Sequence, residues 1–587
     1  MFPTEAKEVY VLELCSGAVN AISRLNTLTT CHCGLSHGTF LYLAYVMNSQ
    51  DPRDYRLNAS HTSSISPPIV RMIPHPAAGA AVSAGVTRSV TLNVANAQLA
   101  PDGFERSVVV ANGQYPGPLI TANKGDTLQV TVRNRLTDPT MRRSTSLDFD
   151  GIFFNTADSF QEGTPFVATC PVAPGADYTY TVPLGSQTGT FWYHSQLSVQ
   201  YVDGLRGPLI VYDPQDPMRN LYDVDDQTTI WQVGDWWHNA TIGLLAHYVA
   251  TGIVPVSDSG TFNGVGRYQG GPEVPFFVQH VQAGKRYRFR IINQSARNVF
   301  TMSVDSHDLT IIEADGIATQ PMVVNQLDLL AGQRYSVILT ANQPVGNYWI
   351  NAPFVGGLPS RNLNQNATLS RAILRYAGAP NADPPTPMTL GPPNPNALVE
   401  ASLRPSAPVT PPAPDVNITL NLVVTAGKAQ WNVNNVSYIA PQVPTLLKIL
   451  DGANDANDFN VTENTFILPR NKVVQIEFPP NDDDEAHPFH LHGTNFWVIK
   501  SNSSDVINTV NPIRRDVVAV GAAGTTLRFV TDQPGPWFFH CHIFWHLAAG
   551  LATVMATDPA GTRAGVQPNA AWQRLCPAYD ALPADLQ

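Results

Sequence analysis

No stretch of this chain keeps one pattern for long. Runs rich in Val, Thr, Tyr and Ile, such as SVTLNV, DTLQVTVRN, TIWQVGDWW, KRYRFRII and RYSVILTAN, are each closed within a few residues by Gly, Pro or Asn. Such runs fit pleated strands rather than helices, and the 49 prolines and 41 glycines supply the turns between them. The fold class read from this is all-β. At 587 residues the chain has room for two to four domains with sizeable cores.

Charge narrows the partners. Only 14% of residues are charged and the net charge is -11, with no Lys/Arg run able to track a phosphate backbone, so nucleic acid is not an expected partner. No run of about eighteen apolar residues occurs, so no membrane span is expected. Residues 1–85 contain short apolar runs (VYVLEL, FLYLAYVM) but no basic start before an apolar core, and so fail as a signal peptide. They read either as a disordered extension or as a mis-assigned start ahead of a mature chain beginning near Ala84. Sequons at Asn58, Asn239, Asn293, Asn366, Asn417, Asn435, Asn460 and Asn502 give secretion weak support.

Strand-like runs from Val86 to about Asp213 suggest a first Greek-key sandwich or barrel, and residues 214–378 a second. Residues 379–415 are too proline-rich for a strand or helix and read as an extended linker. A third β-domain fills 416–587, with helical or irregular segments near 545–550 and at the C-terminus.

Six of the fifteen histidines crowd into HPFHLH (487–492) and HCHIFWH (540–546), which packing alone does not explain. Imidazoles beside a cysteine suit copper or zinc. In a strand, His540 and His542 share one face and Cys541 takes the other, so one segment can serve two metal sites. His490 and His492 likewise share a face while His487 stands apart. Cys541 with His487 and His546 makes a trigonal blue-copper set. Structural zinc is the alternative, but no fourth closing ligand is evident.

GPWFFHCHIFWHLAAGL, HPFHLHG and GTFWYHSQLSVQYVDGLRG resemble signature segments of the laccases, the three-domain multicopper oxidases, especially those of basidiomycete fungi. APDG, NGQYPGPLI, KRYRFR, NPIRRDVV and LCPAYDAL extend the resemblance over nearly everything from Val86 to Gln587. It implies three cupredoxin-like domains, a mononuclear copper taking single electrons from phenols or aromatic amines, and a trinuclear copper cluster reducing O2 to water. It assigns His487, Cys541 and His546 to the mononuclear site and Leu551 to its axial position, with His546 meeting substrate. An apolar axial residue donates nothing to the metal, which is one way to raise its potential.

The same resemblance implies eight histidines around the cluster, and five are present: His194, His490, His492, His540 and His542. Asp148 and Asp150 stand at two of the remaining positions and Gln196 at the third. A carboxylate is shorter, harder and negatively charged, and a neutral amide is a poor donor, so three coppers are not easily shared among these groups. Asp148 and Asp150 on one strand face either retain some metal binding or line a vacated pocket. Glu162 takes the place of the family's acidic residue near the cluster.

By resemblance, Cys170 and Cys576 form a disulfide joining the first domain to the C-terminus. The family's second bridge would join the positions of Val202 and Ala296, so both its ends are absent; a loop of that size is worth about 4–5 kcal/mol in the chain-entropy model. Cys15, Cys31 and Cys33 lie in the N-terminal stretch, and Cys-His-Cys at 31–33 alone is too closely spaced for a zinc site. Arg297 stands where many laccases place a carboxylate for the substrate's phenol or amine, or else is an ordinary surface residue. Three readings remain at this point: a secreted laccase-type enzyme acting on small phenols or aromatic amines with O2, a blue-copper electron carrier needing a redox partner or second subunit, and a copper-free accessory protein.

Overall fold

The computed structural model describes residues 85–481 and 485–586. The expectations for residues 1–84, Cys15, Cys31, Cys33 and Asn58 among them, lie outside the described residues.

Six larger sheets carry the fold, two in each third of the described chain. In the first third, Thr87–Leu99 pairs antiparallel with Arg106–Ala111 and parallel with Thr127–Arg135, which in turn pairs with Asp177–Pro183. Alternation in TLQVTVRNR buries Leu128, Val130 and Val132 on one face, as a half-buried strand requires. The facing sheet runs Ile120–Asn123, Arg206–Tyr212, Gly189–His194, Asp148–Asp150, and its register sets Asp148 opposite His194. The middle third has one seven-stranded and one six-stranded sheet.

In the last third, one five-stranded sheet holds both histidine segments. His487–Leu491 lies between Gly535–Cys541 and Val517–Val520, in a register that places His490 against His540 and Phe489 against Cys541. Both metal-ligand segments are therefore adjacent rungs of one ladder. After Cys541 the chain turns into the short helix Phe544–Ala548, which carries His546 back toward the cysteine. Further helices at Pro559–Gly565, Ala570–Gln573 and Leu575–Asp580 match the helical C-terminus expected from sequence. Helix Thr241–Thr251 was not anticipated: it has no side-chain N-cap, buries only Thr241 and Tyr248, and ends at the left-handed Gly252.

Residues 379–415 contain no strand and a single short helical turn, Glu400–Ser402. The segment is extended, as its prolines dictate, but it is not a solvated spacer. Its backbone bonds the outer strand Ile317–Val324 of the seven-stranded sheet, with Gln320 N–H donating to Arg404 O at 2.8 Å and Ser406 N–H to Ala318 O at 2.9 Å. The Glu400 side chain then reaches Arg515 and Ser501. An otherwise open sheet edge is covered in this way.

The disulfide expected between Cys170 and Cys576 is present. Where the second bridge is absent, Val202 and Ala296 are both fully buried, and Tyr201 Oη–H donates to Ser295 O at 2.7 Å in its stead. Of the sequons, Asn293 is buried with its amide bonded to Asn298 O and Leu329 O, so it is no surface acceptor, whereas Asn239, Asn417, Asn435 and Asn460 are exposed.

Candidate metal centre

Two buried polar groups flank the end of strand Gly535–Cys541. On one face, Cys541 Sγ lies 3.7 Å from His487 Nδ1 and 4.0 Å from His546 Nδ1, and the two imidazole nitrogens are 3.2 Å apart. Three soft or borderline donors converging from a strand, its neighbour and the following helical turn form a trigonal set for one ion. Trp431 packs on both imidazoles, with ring centroids 4.7 and 4.6 Å away. Burial, then the neighbouring His487 and Arg297, hold His546 well below the usual imidazole range, which favours the neutral ring with one lone-pair nitrogen. Leu551 is fully buried, and its carbonyl accepts from Cys541 N–H at 3.1 Å.

On the other face lie the eight positions of the second group. Asp150 is central: Oδ1 is 3.1 Å from His194 Nε2 and 3.6 Å from His490 Nε2, and Oδ2 is 3.0 Å from His542 Nε2. Burial opposes its ionisation, but the adjoining His194 and His490 hold the carboxyl well below its ordinary range. Asp148 behaves oppositely. Burial, reinforced by the negative charges of Glu162 and Asp150, raises it well above the usual carboxylate range. Glu162 is held down against burial by His492, to which it hydrogen-bonds. Gln196 points its amide nitrogen at His540 Nε2, 3.1 Å away, and His492 Nε2 stands 2.9 Å from the same atom.

Three of these histidines are fixed from behind. The Nδ1 atoms of His194, His540 and His490 lie 2.9, 2.9 and 3.0 Å from the carbonyl oxygens of Ser195, Cys541 and Asp516. A carbonyl can only accept, so each Nδ1 carries a hydrogen and each ring turns its Nε2 inward. At Gly332, with φ +84°, an added Cβ would sit 2.7 Å from His542 Cδ2, so only glycine lets that ring approach.

The residues expected from sequence to ligate metal therefore gather around one strand end. Several contributors were not foreseen. Arg334 and Asp516 form a fully buried bidentate pair behind His490, with contacts of 2.6 and 2.8 Å. Glu485 pairs with Arg297 at 3.0 and 2.7 Å, and Arg297 is buried rather than an ordinary surface residue. Thr164 bonds both Glu162 and His492. None of these is separated in sequence from unremarkable polar residues except by its partner's position in space.

Sandwich-like β-domains that bury a Cys/His₂ set beside a second imidazole cluster on the same strand define a copper redox protein. The multicopper oxidase family models match residues 93–216, 227–379 and 438–561. Laccase-2 of Agaricus bisporus is 46% identical over 509 residues, covering 85% of this chain and 96% of that protein. The laccase-like protein claX of Ampulloclitocybe clavipes is 58% identical over 426 residues, covering 65% and 97%. The crystal structure of the laccase from Botrytis aclada superposes with a TM-score of 0.74 at 30% identity, covering 85% and 92%. The chain belongs to the multicopper oxidase family, as a laccase-like oxidoreductase with cupredoxin-like domains. Among the described residues no helix is long and apolar enough to cross a membrane.

Proposed function

We propose that this protein oxidises small phenols or aromatic amines one electron at a time at the set formed by His487, Cys541 and His546. The converging thiol and two imidazoles, all buried, are the observation that carries the reading. Their donor types fit copper, which when bound supplies a one-electron acceptor. With that acceptor in place, the substrate would give it one electron and release its hydroxyl or amine proton to solvent, becoming a radical. Cys541 is joined through the backbone to His540 and His542, so the residues of the two groups are covalent neighbours. Leu551 in the axial position adds no donor. The Cys170–Cys576 disulfide and the exposed sequons support a secreted protein.

The second group does not fit three coppers. Five imidazoles remain of the eight that the family resemblance implies, one position offers a neutral amide, and two offer carboxylates, which are shorter, harder and negatively charged. Copper-loaded protein mixed anaerobically with a substituted phenol should lose its blue absorption as the phenol is oxidised. Cys541→Ser should show neither the blue band nor phenol oxidation; a Cys541→Ser variant that oxidises phenol at the parent rate would refute the assignment.

A further inference from the structure

Arg297 is anchored from two sides. The fully buried Asp235 accepts the backbone N–H groups of Ala296, Arg297 and Asn298 at 3.0, 2.8 and 3.2 Å, and Ala296 O accepts from Phe544 N–H at 2.9 Å. Phe544 opens the short helix that carries His546, so the backbone itself holds position 297 beside that ligand. The side chain turns to Glu485, two residues before His487, and grips both carboxylate oxygens at 3.0 and 2.7 Å, while Nη1 donates to Pro255 O at 2.9 Å. A Cβ at Gly357 would stand 2.8 Å from the same Nη1, so the guanidinium is enclosed on that flank as well. With its donors turned to these groups, it has little to offer a substrate directly.

Two opposite charges would cancel at the Cys541 site if they were equally placed. They are not. The Arg297 side chain is 7% exposed and that of Glu485 27%, so water screens the carboxylate more than the guanidinium. Burial first, then His487 and the Arg297 charge, hold His546 well below the usual imidazole range, so the field of Arg297 reaches that ring. The pair is therefore a dipole with its less screened, positive end beside the ligands.

We propose that Arg297 is a positioning residue whose buried charge raises the reduction potential of an ion held by His487, Cys541 and His546, while Glu485 fastens Arg297 in place and offsets only part of its field. This rests on the reading of that set as the electron-accepting site. A nearby positive charge favours the reduced ion, which carries one positive charge fewer. At an effective dielectric of about 20, a unit charge on the order of 10 Å from an ion changes its oxidised-to-reduced ratio about tenfold. The apolar Leu551 works in the same direction. Together they extend the reach of the site toward phenols that part with an electron less readily.

The test is a redox titration of the blue absorption of the copper-loaded full chain, with denaturant unfolding run alongside. A parent without a blue band sinks the reading of the site, whereas the shifts among variants judge this inference. Arg297→Gln should lower the midpoint by about tenfold in the oxidised-to-reduced ratio, about 59 mV for one electron. Glu485→Gln should raise it by less, and Arg297→Gln/Glu485→Gln should settle below the parent. Arg297→Lys keeps the charge and loses the bidentate grip, so it should unfold more easily while its midpoint stays near the parent's. A purely structural role would weaken the Gln and Lys variants alike and move neither midpoint. Should Arg297→Gln fail to take up copper, the double variant, which leaves no unpaired charge, carries the same comparison. An Arg297→Gln midpoint within about twofold of the parent in that ratio, or a double variant at or above the parent, overturns the proposal.

Discussion

Replacing Arg334 by Met isolates the buried pair behind His490. The guanidinium is fully buried and donates to both oxygens of Asp516, at 2.6 and 2.8 Å, and to the carbonyls of Thr190 and Gly332, each at 3.1 Å. A methionine fills the volume of the stem but leaves the Asp516 carboxylate buried without its cation. Breaking a buried pair in this way costs about 3–5 kcal/mol, whereas replacing both partners by apolar groups of similar volume is often near neutral. Arg334→Met should therefore unfold at markedly lower denaturant, and Arg334→Met/Asp516→Leu should recover much of the loss. Acid sharpens the comparison. Burial works to raise Asp516, but Arg334 holds it at about 2, below its ordinary 3.8. A depressed carboxyl stabilises above its unfolded pKa, so the parent should lose about 2–3 kcal/mol as pH falls from near 4 to near 2. In Arg334→Met, burial without the cation raises the carboxyl, so its penalty is largest near neutrality and shrinks as acid protonates it. The assay is denaturant unfolding followed by tryptophan fluorescence between pH 7 and pH 2. A single variant losing under about 1 kcal/mol, or a double variant as damaged as the single, would refute this account of the pair.

Cys576→Ser opens a covalent loop between positions 406 residues apart. The chain-entropy model gives an upper value of about 6 kcal/mol for it. The Trp572 indole N–H bond to Ala168 O persists in that variant, so a lower unfolding temperature with retained copper binding is expected by calorimetry and metal analysis. Leu551→Met supplies a weak thioether donor at the axial position and should lower the reduction potential of the Cys541 site, read by redox titration of the blue band. Joint replacement of Asp148, Asp150 and Gln196 by histidine should raise both the copper count and O2 uptake with a phenol; unchanged uptake would mean that those positions do not limit it.

The donor sets were legible because they rest on short-range rules. Strand alternation puts His540 and His542 on one face and Cys541 on the other, and HPFHLH repeats the pattern one ladder rung away. What supports those donors was not legible. Asp516 reaches Arg334 from 182 positions away, and Glu485 reaches Arg297 from 188, and no local pattern encodes such pairs. That Asp150 stands where the resemblance implies a histidine could be read, but which carbonyl each surrounding ring nitrogen faces could not. The helix Thr241–Thr251 escaped notice because TIGLLAHYVAT has neither a capping side chain nor a clear apolar stripe, and only Thr241, Leu244, Leu245 and Tyr248 turn from solvent.

The proline-rich segment 379–415 has a practical consequence. Its composition would mark it as the natural place for a protease to part the second and third domains, yet its backbone is laced to a sheet edge and Glu400 fastens it to Arg515. Nicking requires a stretch of chain to lift away into the enzyme's cleft, and here lifting would expose a strand. Digestion under native conditions should spare this crossing, and an inserted tag or fusion placed within it would unlace the two domains rather than merely lengthen the tether.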